Sequence, residues 1–350
     1  MPDVRPLRTG DPSHIGDYRL VGLLGSGGQG VVYQAVAGAT GREVAIKLLH
    51  GHVSGDDDAA KSFLREVEAA RRVAAFCTAA VLDVGTLDER PYIVSEYVAG
   101  DTLQALVRSA GPRTGGALDR LAISTLTALT AIHQAGIVHR DFKPANVLMG
   151  PEGPIVIDFG IAKALDGTTL ASGPVGTPAY MSPEQYTAER VGPPSDVFSW
   201  AGTMVFAATG RTPFAGDTVA AILNSVLSGS PDLTGVPPHL AGPIQACLAK
   251  DAAARPMPAD LLQHLLRHPE APPAPMGPPV SAPPPAAPVS MPPPAPTGPP
   301  VPFPAPSRGP GGTDPGSSSQ AGRQTVPGRS RPVSRRAVIG GVTAAAAVAS

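Results

Sequence analysis

Gly25-Ser26-Gly27-Gly28-Gln29-Gly30 places glycines at the GxGxxG spacing early in the chain. Lacking side chains, such residues let the backbone approach phosphate oxygens closely and aim its amides at them. The spacing alone is a weak signal, because dinucleotide-binding folds use it too. Two neighbours separate the readings. Val32 and Tyr33 continue a strand instead of opening a helix, and Val44-Ala45-Ile46-Lys47 follows within one more strand. Lys47 stands in an otherwise apolar strand, where an ammonium is costly unless it meets an anion or snorkels outward. Bound nucleotide phosphates would be that anion. A carboxylate is needed to hold the lysine, and Glu66, midway along the following helix, is the candidate. Glu68 lies about 200° further round the helix, so the two cannot face the lysine together. A GxxxxGK[ST] phosphate loop is absent.

Ile137 to Val147 reads IVHRDFKPANV, and this segment resembles the catalytic loop of protein kinases. The glycine loop, the VAIK strand, Asp158-Phe159-Gly160 and Ser182-Pro183-Glu184 occur in the matching order, so the resemblance runs from about Tyr18 to Leu266. It points to the bacterial, eukaryotic-like serine/threonine kinases (Hanks type). The family implies that Asp141 orients the substrate hydroxyl and accepts its proton, and that Lys143 neutralises the transferred phosphate. Lys143 also argues against tyrosine specificity. Asn146 and Asp158 would hold magnesium, or manganese in its place, against ATP; carboxylate and amide oxygens suit that ion. By the same match Leu24, Gly25, Ser26, Gly27, Gly28, Gly30, Val32, Ala45 and Lys47 line the nucleotide site. Main-chain groups of Glu96 and Val98 would bond adenine, with Ser95 at its inner edge. Glu184 would pair with Arg255, and Asp196 would anchor the catalytic-loop backbone. Two departures are mild: Phe142 replaces the commonest leucine, and Ser182 replaces an alanine. Arg140, just before Asp141, marks family members whose activation segment is ordered by phosphate. The segment, Asp158 to Glu184, offers Thr168, Thr169 and Ser172 as acceptors, whereas Thr177 is expected to bond near Asp141 and Lys143.

These groups need elements to carry them. Tyr18 to Leu24 and Val31 to Val36 read as a hairpin around the glycine loop, and Glu43 to Leu49 and Pro91 to Tyr97 as further strands. Asp58 to Ala75 has helical spacing, with Phe63, Leu64 and Val67 on one side. Helices dominate from Leu103 onward, over Leu118 to Ala135, Ser195 to Thr209, Thr218 to Leu227 and Pro258 to Leu266. The expected class is α+β: a bilobal protein-kinase fold, with a small β-rich N-lobe (about 18–98) and a larger helical C-lobe (about 99–268). Ligands commonly bind in the cleft between such layers. Residues 1–17 are expected to be a flexible N-terminus.

Of 43 prolines in 350 residues, 19 fall between Ala271 and Pro310, where Arg308 is the sole charge. Proline removes backbone donors and favours extended geometry, so 269–334 is expected to be a disordered, semi-rigid linker. Its PxxP spacings would also suit SH3-like or WW-like partners, but proline-rich composition yields these freely. Arg335 and Arg336 then precede an uncharged run, Ala337 to Ser350, expected to begin a membrane segment with the arginines on the cytoplasmic side. The kinase domain itself is expected in the cytoplasm. A net charge of -1 gives no field favouring nucleic acid. Cys77 and Cys247 lack a CxxC spacing, which argues against a disulfide framework or a zinc site. Expected partners are ATP, protein substrates, a membrane tether and a second copy of the chain for trans-autophosphorylation. The alternative is a pseudokinase scaffold, although no catalytic group is missing.

Overall fold

The structure, a computed structural model, describes residues 4–50, 57–73, 76–160, 178–187, 189–267 and 298. Strand alternation sets up the first layer. β1 (His14–Ile15), β2 (Tyr18–Gly27), β3 (Gly30–Ala37), β4 (Glu43–Leu49), β5 (Val81–Leu87) and β6 (Arg90–Glu96) form an antiparallel sheet in the order β1-β2-β3-β4-β6-β5. In β4, Val44, Ile46 and Leu48 point to one face and are buried with Ile15, Leu20, Leu23, Tyr33 and Val94. Ala45 and Lys47 therefore point to the opposite face, because side chains alternate with a period of two. Lys47 thus escapes the apolar core that its strand builds. Val32 pairs across from Lys47 and shares its face. Gly30 is required by a close approach: a Cβ there would lie 2.3 Å from the carbonyl oxygen of Leu48.

The N-terminal residues are not the loose segment expected. Arg5 and Leu23 exchange two backbone hydrogen bonds (3.0 and 2.7 Å), and Ile15 is fully buried. β1 and β5 were both missed by the strand expectations. β5 has no alternation to see, because six of its seven residues are half-buried on both faces.

Helix α1 (Asp57–Ala70) buries Phe63, Val67 and Ala70 at helical spacing. It is shorter than expected, and Leu64, placed with that stripe in the sequence reading, is 53% exposed. After β6 the chain forms a small sheet, β7 (Asp101–Thr102), β8 (Val147–Gly150) and β9 (Gly153–Val156), and the helices α2 (Leu103–Ala110), α3 (Gly115–Gln134), α4 (Pro183–Tyr186), α5 (Pro193–Thr209), α6 (Val219–Ser228), α7 (Pro238–Cys247) and α8 (Pro258–Arg267). The Thr102 hydroxyl caps α2 by accepting from Ala105 N (3.1 Å). Ser195 to Ala208 of α5 are all buried, as expected of a helix at the centre of a core rather than on its surface. Trp200 of α5 donates its indole N–H to the Thr125 hydroxyl on α3 (2.9 Å), so its one polar atom is satisfied inside the core. The β-rich layer followed by a helical lobe agrees with the expected class. Among the described residues no helix is long and apolar enough to cross a membrane. The proline-rich linker and residues 335–350 lie outside the described residues, apart from Gly298.

Candidate active site

The loop between α3 and β8 is held by one carboxylate. Asp196, 1% exposed near the start of α5, accepts from His139 N (2.7 Å) and Arg140 N (2.8 Å). His133, near the end of α3, presents Nε2 at 2.7 Å from the same carboxylate. A carboxylate only accepts, so that nitrogen carries the proton. Arg140 needs this support because its φ is +61°, a left-handed conformation unfavourable for a side chain of its size. His139 is fully buried, edge-on to Phe142 (5.4 Å), with Nε2 3.1 Å from the Ile157 carbonyl. Burial lowers its pKa, so the ring is neutral and donates that bond. Phe142 is 1% exposed, which accounts for an aromatic residue at an apolar position.

The loop so fixed presents its polar groups together. Lys143 Nζ donates to Asp141 Oδ2 (2.8 Å), and Asn146 Nδ2 donates to the Asp141 carbonyl (2.8 Å). That bond sets the amide's orientation and leaves Oδ1 as the acceptor available to a cation. Ile157 N donates to Asn146 O (3.0 Å), tying the loop to the segment carrying Asp158. Asp158 has φ +60°, and Gly160, at φ +52°, donates its N–H to His139 O (3.2 Å). A Cβ on Gly160 would meet the Val138 carbonyl at 2.5 Å, so only glycine fits. Phe159 is buried in the core beneath.

Asp158 reaches across to the β-rich layer, where its Oδ2 lies 3.2 Å from Lys47 Nζ. Lys47 also donates to Gln29 Oε1 (2.8 Å). This corrects the expectation of a Lys47–Glu66 pair. Glu66 Oε1 instead lies 3.7 Å from Arg140 Nη1, and its Oε2 is buried without a hydrogen-bond partner. Burial raises the Glu66 pKa, and the nearby Arg140 guanidinium opposes that rise. Glu68 is exposed, as its place on the helix requires.

A divalent cation fits the donor set. Asn146 and Asp158 supply one amide and one carboxylate, and among the described residues no cluster of three or more His, Cys, Asp or Glu forms a protein-only cage. Two protein ligands leave room for phosphate and water to complete the shell of such a cation. Above them, a Cβ on Gly25 or on Gly27 would meet nothing within 4 Å, so the loop backbone borders open space. Leu24, Ser26, Val32 and Ala45 flank that loop on β2, β3 and β4. At the far end Ala45 pairs with Ser95 and Val44 with Glu96, after which the chain leaves the sheet through Val98. The Glu96 N–H is already given to Ala80 O (2.9 Å), and its side chain meets Arg42 (2.9 Å).

The segment after the site is secured by a buried ion pair. Arg255 Nη1 and Nη2 meet Glu184 Oε1 and Oε2 at 2.7 and 2.9 Å, a bidentate fork in which neither side chain exceeds 5% exposure. Ser195 Oγ donates to the same carboxylate (2.6 Å). Gln185 donates to the Arg140 carbonyl (2.8 Å), joining this segment to the catalytic loop. Gln29, His133 and Gln185 were not singled out from sequence. Thr168, Thr169, Ser172 and Thr177 lie outside the described residues.

The chain resembles known proteins over the same region. It is 43% identical over 264 residues to "Probable serine/threonine-protein kinase PkwA" of Thermomonospora curvata, covering 75% of this chain and 35% of that protein. It is 44% identical over 268 residues to "Serine/threonine-protein kinase AfsK" of Streptomyces coelicolor, covering 76% and 33%. The chain thus spans about a third of the length of these relatives. Among solved structures it matches "Crystal structure of Rad53 1-466 in complex with AMP-PNP" with a TM-score of 0.60 and 25% identity, over 71% of this chain and 64% of that one. The family model described as "Protein kinase domain" matches residues 18–266, the span that holds every group assembled above, and the chain belongs to the protein kinase family.

Proposed function

We propose that the chain is a serine/threonine protein kinase that transfers the γ-phosphoryl group of ATP to Ser or Thr hydroxyls of proteins. One observation carries this reading: Lys47 of the sheet reaches Asp158 (3.2 Å), and Ile157 N ties the Asp158 segment to Asn146 O (3.0 Å) in the loop where Lys143 and Asn146 bond to Asp141 (2.8 Å each). Phosphoryl transfer passes through a loose transition state, so positioning and neutralising anionic oxygens is most of the work. Asp141 holds the incoming hydroxyl and takes its proton as the new oxygen–phosphorus bond forms and the γ-phosphorus bond to the bridging oxygen breaks, releasing ADP; Lys143 faces the charge on the transferred group. Lys47 and the glycine-loop amides hold the phosphates that stay behind. Asn146 and Asp158 would hold magnesium or manganese, which when bound neutralises phosphate oxygens. Glu96 and Val98 main-chain groups would receive adenine.

The activation segment is read as self-phosphorylated at Thr168 or Thr169, with Ser172 as the other acceptor, and with a second copy of the chain as the trans partner. Phosphate there would add about -1.5 to -2 charges to pair with Arg140. Arg335, Arg336 and the uncharged run after them are read as a membrane tether behind a spacer. The names of the relatives, all serine/threonine-protein kinases, and the AMP-PNP named for the Rad53 structure support the activity and the nucleotide.

The test is mass-resolved phosphotransfer to protein substrate by the full chain with ATP and magnesium. Asp141→Asn keeps the shape but loses the base, and the rate should fall by about 10²- to 10⁴-fold. An undiminished rate in that variant would assign the transfer to something else. Phosphate should appear on Thr168 or Thr169 in the native chain and not in the variant.

A further inference from the structure

Beside the Asp158 carboxylate, Lys47 donates to a neutral side chain where Glu66 was expected, and that acceptor belongs to the glycine loop itself. The β2–β3 register pairs Gly27 with Gly30, so the hairpin closes on the two residues Gly28 and Gln29. The tip is pinned from behind: His50 N donates to Gln29 O (3.1 Å), and the His50 ring lies 3.2 Å from Gly27 O. With its backbone held against the end of β4, Gln29 reaches the ammonium of Lys47 with Oε1 at 2.8 Å. Asp158 takes a second direction of the same ammonium (3.2 Å), while Glu66 stands near Arg140.

Resting on the nucleotide reading above, the geometry points to Gln29 as a latch: its carboxamide oxygen occupies one of the three donor directions of Lys47, one that a bound phosphate oxygen would use, and nucleotide binds by displacing it. An ammonium has three donors and no acceptor, so a carboxamide oxygen serves it as an uncharged substitute for phosphate. The substitute is weak by design of its chemistry. Phosphate adds the attraction of its negative charge, which a neutral carboxamide lacks, so phosphate wins the exchange, at a cost to affinity equal to the bond broken. The latch acts on phosphates alone and leaves adenosine, which has none, indifferent.

Equilibrium binding of ATP and of adenosine to the full chain tests this. Gln29→Ala removes the competitor, and ATP should bind about two- to fivefold more tightly, with adenosine affinity unchanged. Gln29→Glu makes the occupant anionic, and ATP should bind at least about tenfold more weakly, again with adenosine unchanged. Equal or weaker ATP binding by Gln29→Ala would overturn the latch, and so would a matching shift for adenosine, which would mean that the loop as a whole had moved. If the native chain binds neither compound, the nucleotide reading itself fails and the latch with it; adenosine binding intact in all three proteins separates the two failures.

Discussion

Among single residues, the pair Glu184–Arg255 gives the sharpest test. Burial pushes the Glu184 carboxyl upward, but the Arg255 fork, the Ser195 hydroxyl and backbone bonding outweigh it and pull its pKa down from 4.5 to about 2. A carboxylate whose folded pKa is depressed contributes stability that is fully present above its unfolded value. That contribution is lost as pH falls from about 4.5 through 2. Glu184→Gln leaves the Arg255 guanidinium buried beside a neutral amide and should cost about 3 kcal/mol near pH 7. Denaturant unfolding of both proteins across pH should show the gap closing below about pH 4.5. A gap that stays constant down to pH 3 would mean that the ionised carboxylate is not what Arg255 holds. Asp196 is a comparable single point of support, since two backbone N–H groups, one from the left-handed Arg140, and the His133 ring all end on it.

At the scale of elements, the position of α1 separates what the sequence could and could not convey. Each motif is local: GxGxxG, VAIK, HRDFKPAN and DFG are short runs, and in the structure Lys47 meets Asp158 while Lys143 and Asn146 bond to Asp141. The partner of Lys47 was not legible, because it depends on how a helix lies against a sheet, which no local spacing states. The same holds for Leu64, whose apolar type suggested a buried side that the helix does not give it. His133 and Asp196 lie 63 residues apart and carry no motif between them, so their contact is visible only in three dimensions. The placement of Glu66 beside Arg140, away from Lys47, predicts a split between stability and catalysis at Glu66. At 3.7 Å from Arg140, with one oxygen unpartnered, Glu66 contributes little to the fold described, and Glu66→Gln should change unfolding free energy by less than about 1 kcal/mol. If Lys47 recruits Glu66 during turnover, as the family resemblance implies, the same variant should lose at least about tenfold in kcat/KM for the protein substrate. Unchanged kinetics would show that Asp158 suffices to position Lys47.

For the whole molecule, composition already divides the chain into a part that can bury a core and a part that cannot. The core closes with α8, whose Leu261 and Leu265 are buried in the same cluster as Leu118 to Ile132 of α3. The following proline-dense stretch has few side chains able to form a second core and few backbone donors to join a sheet. A spacer, the role proposed for this stretch, would change where the domain meets substrate and leave its chemistry alone. A chain ending at Pro272 should therefore phosphorylate a soluble peptide with kcat/KM within about twofold of the full chain, since among the described residues no group of the site lies beyond Arg255. Vesicles carrying anionic lipid should bind the full chain and not the shortened one, by about 1 kcal/mol for each basic residue near the surface and by apolar burial beyond it. A tenfold loss of peptide phosphorylation on truncation would instead make the proline tract part of the catalytic unit, and equal vesicle binding by both chains would remove the tether.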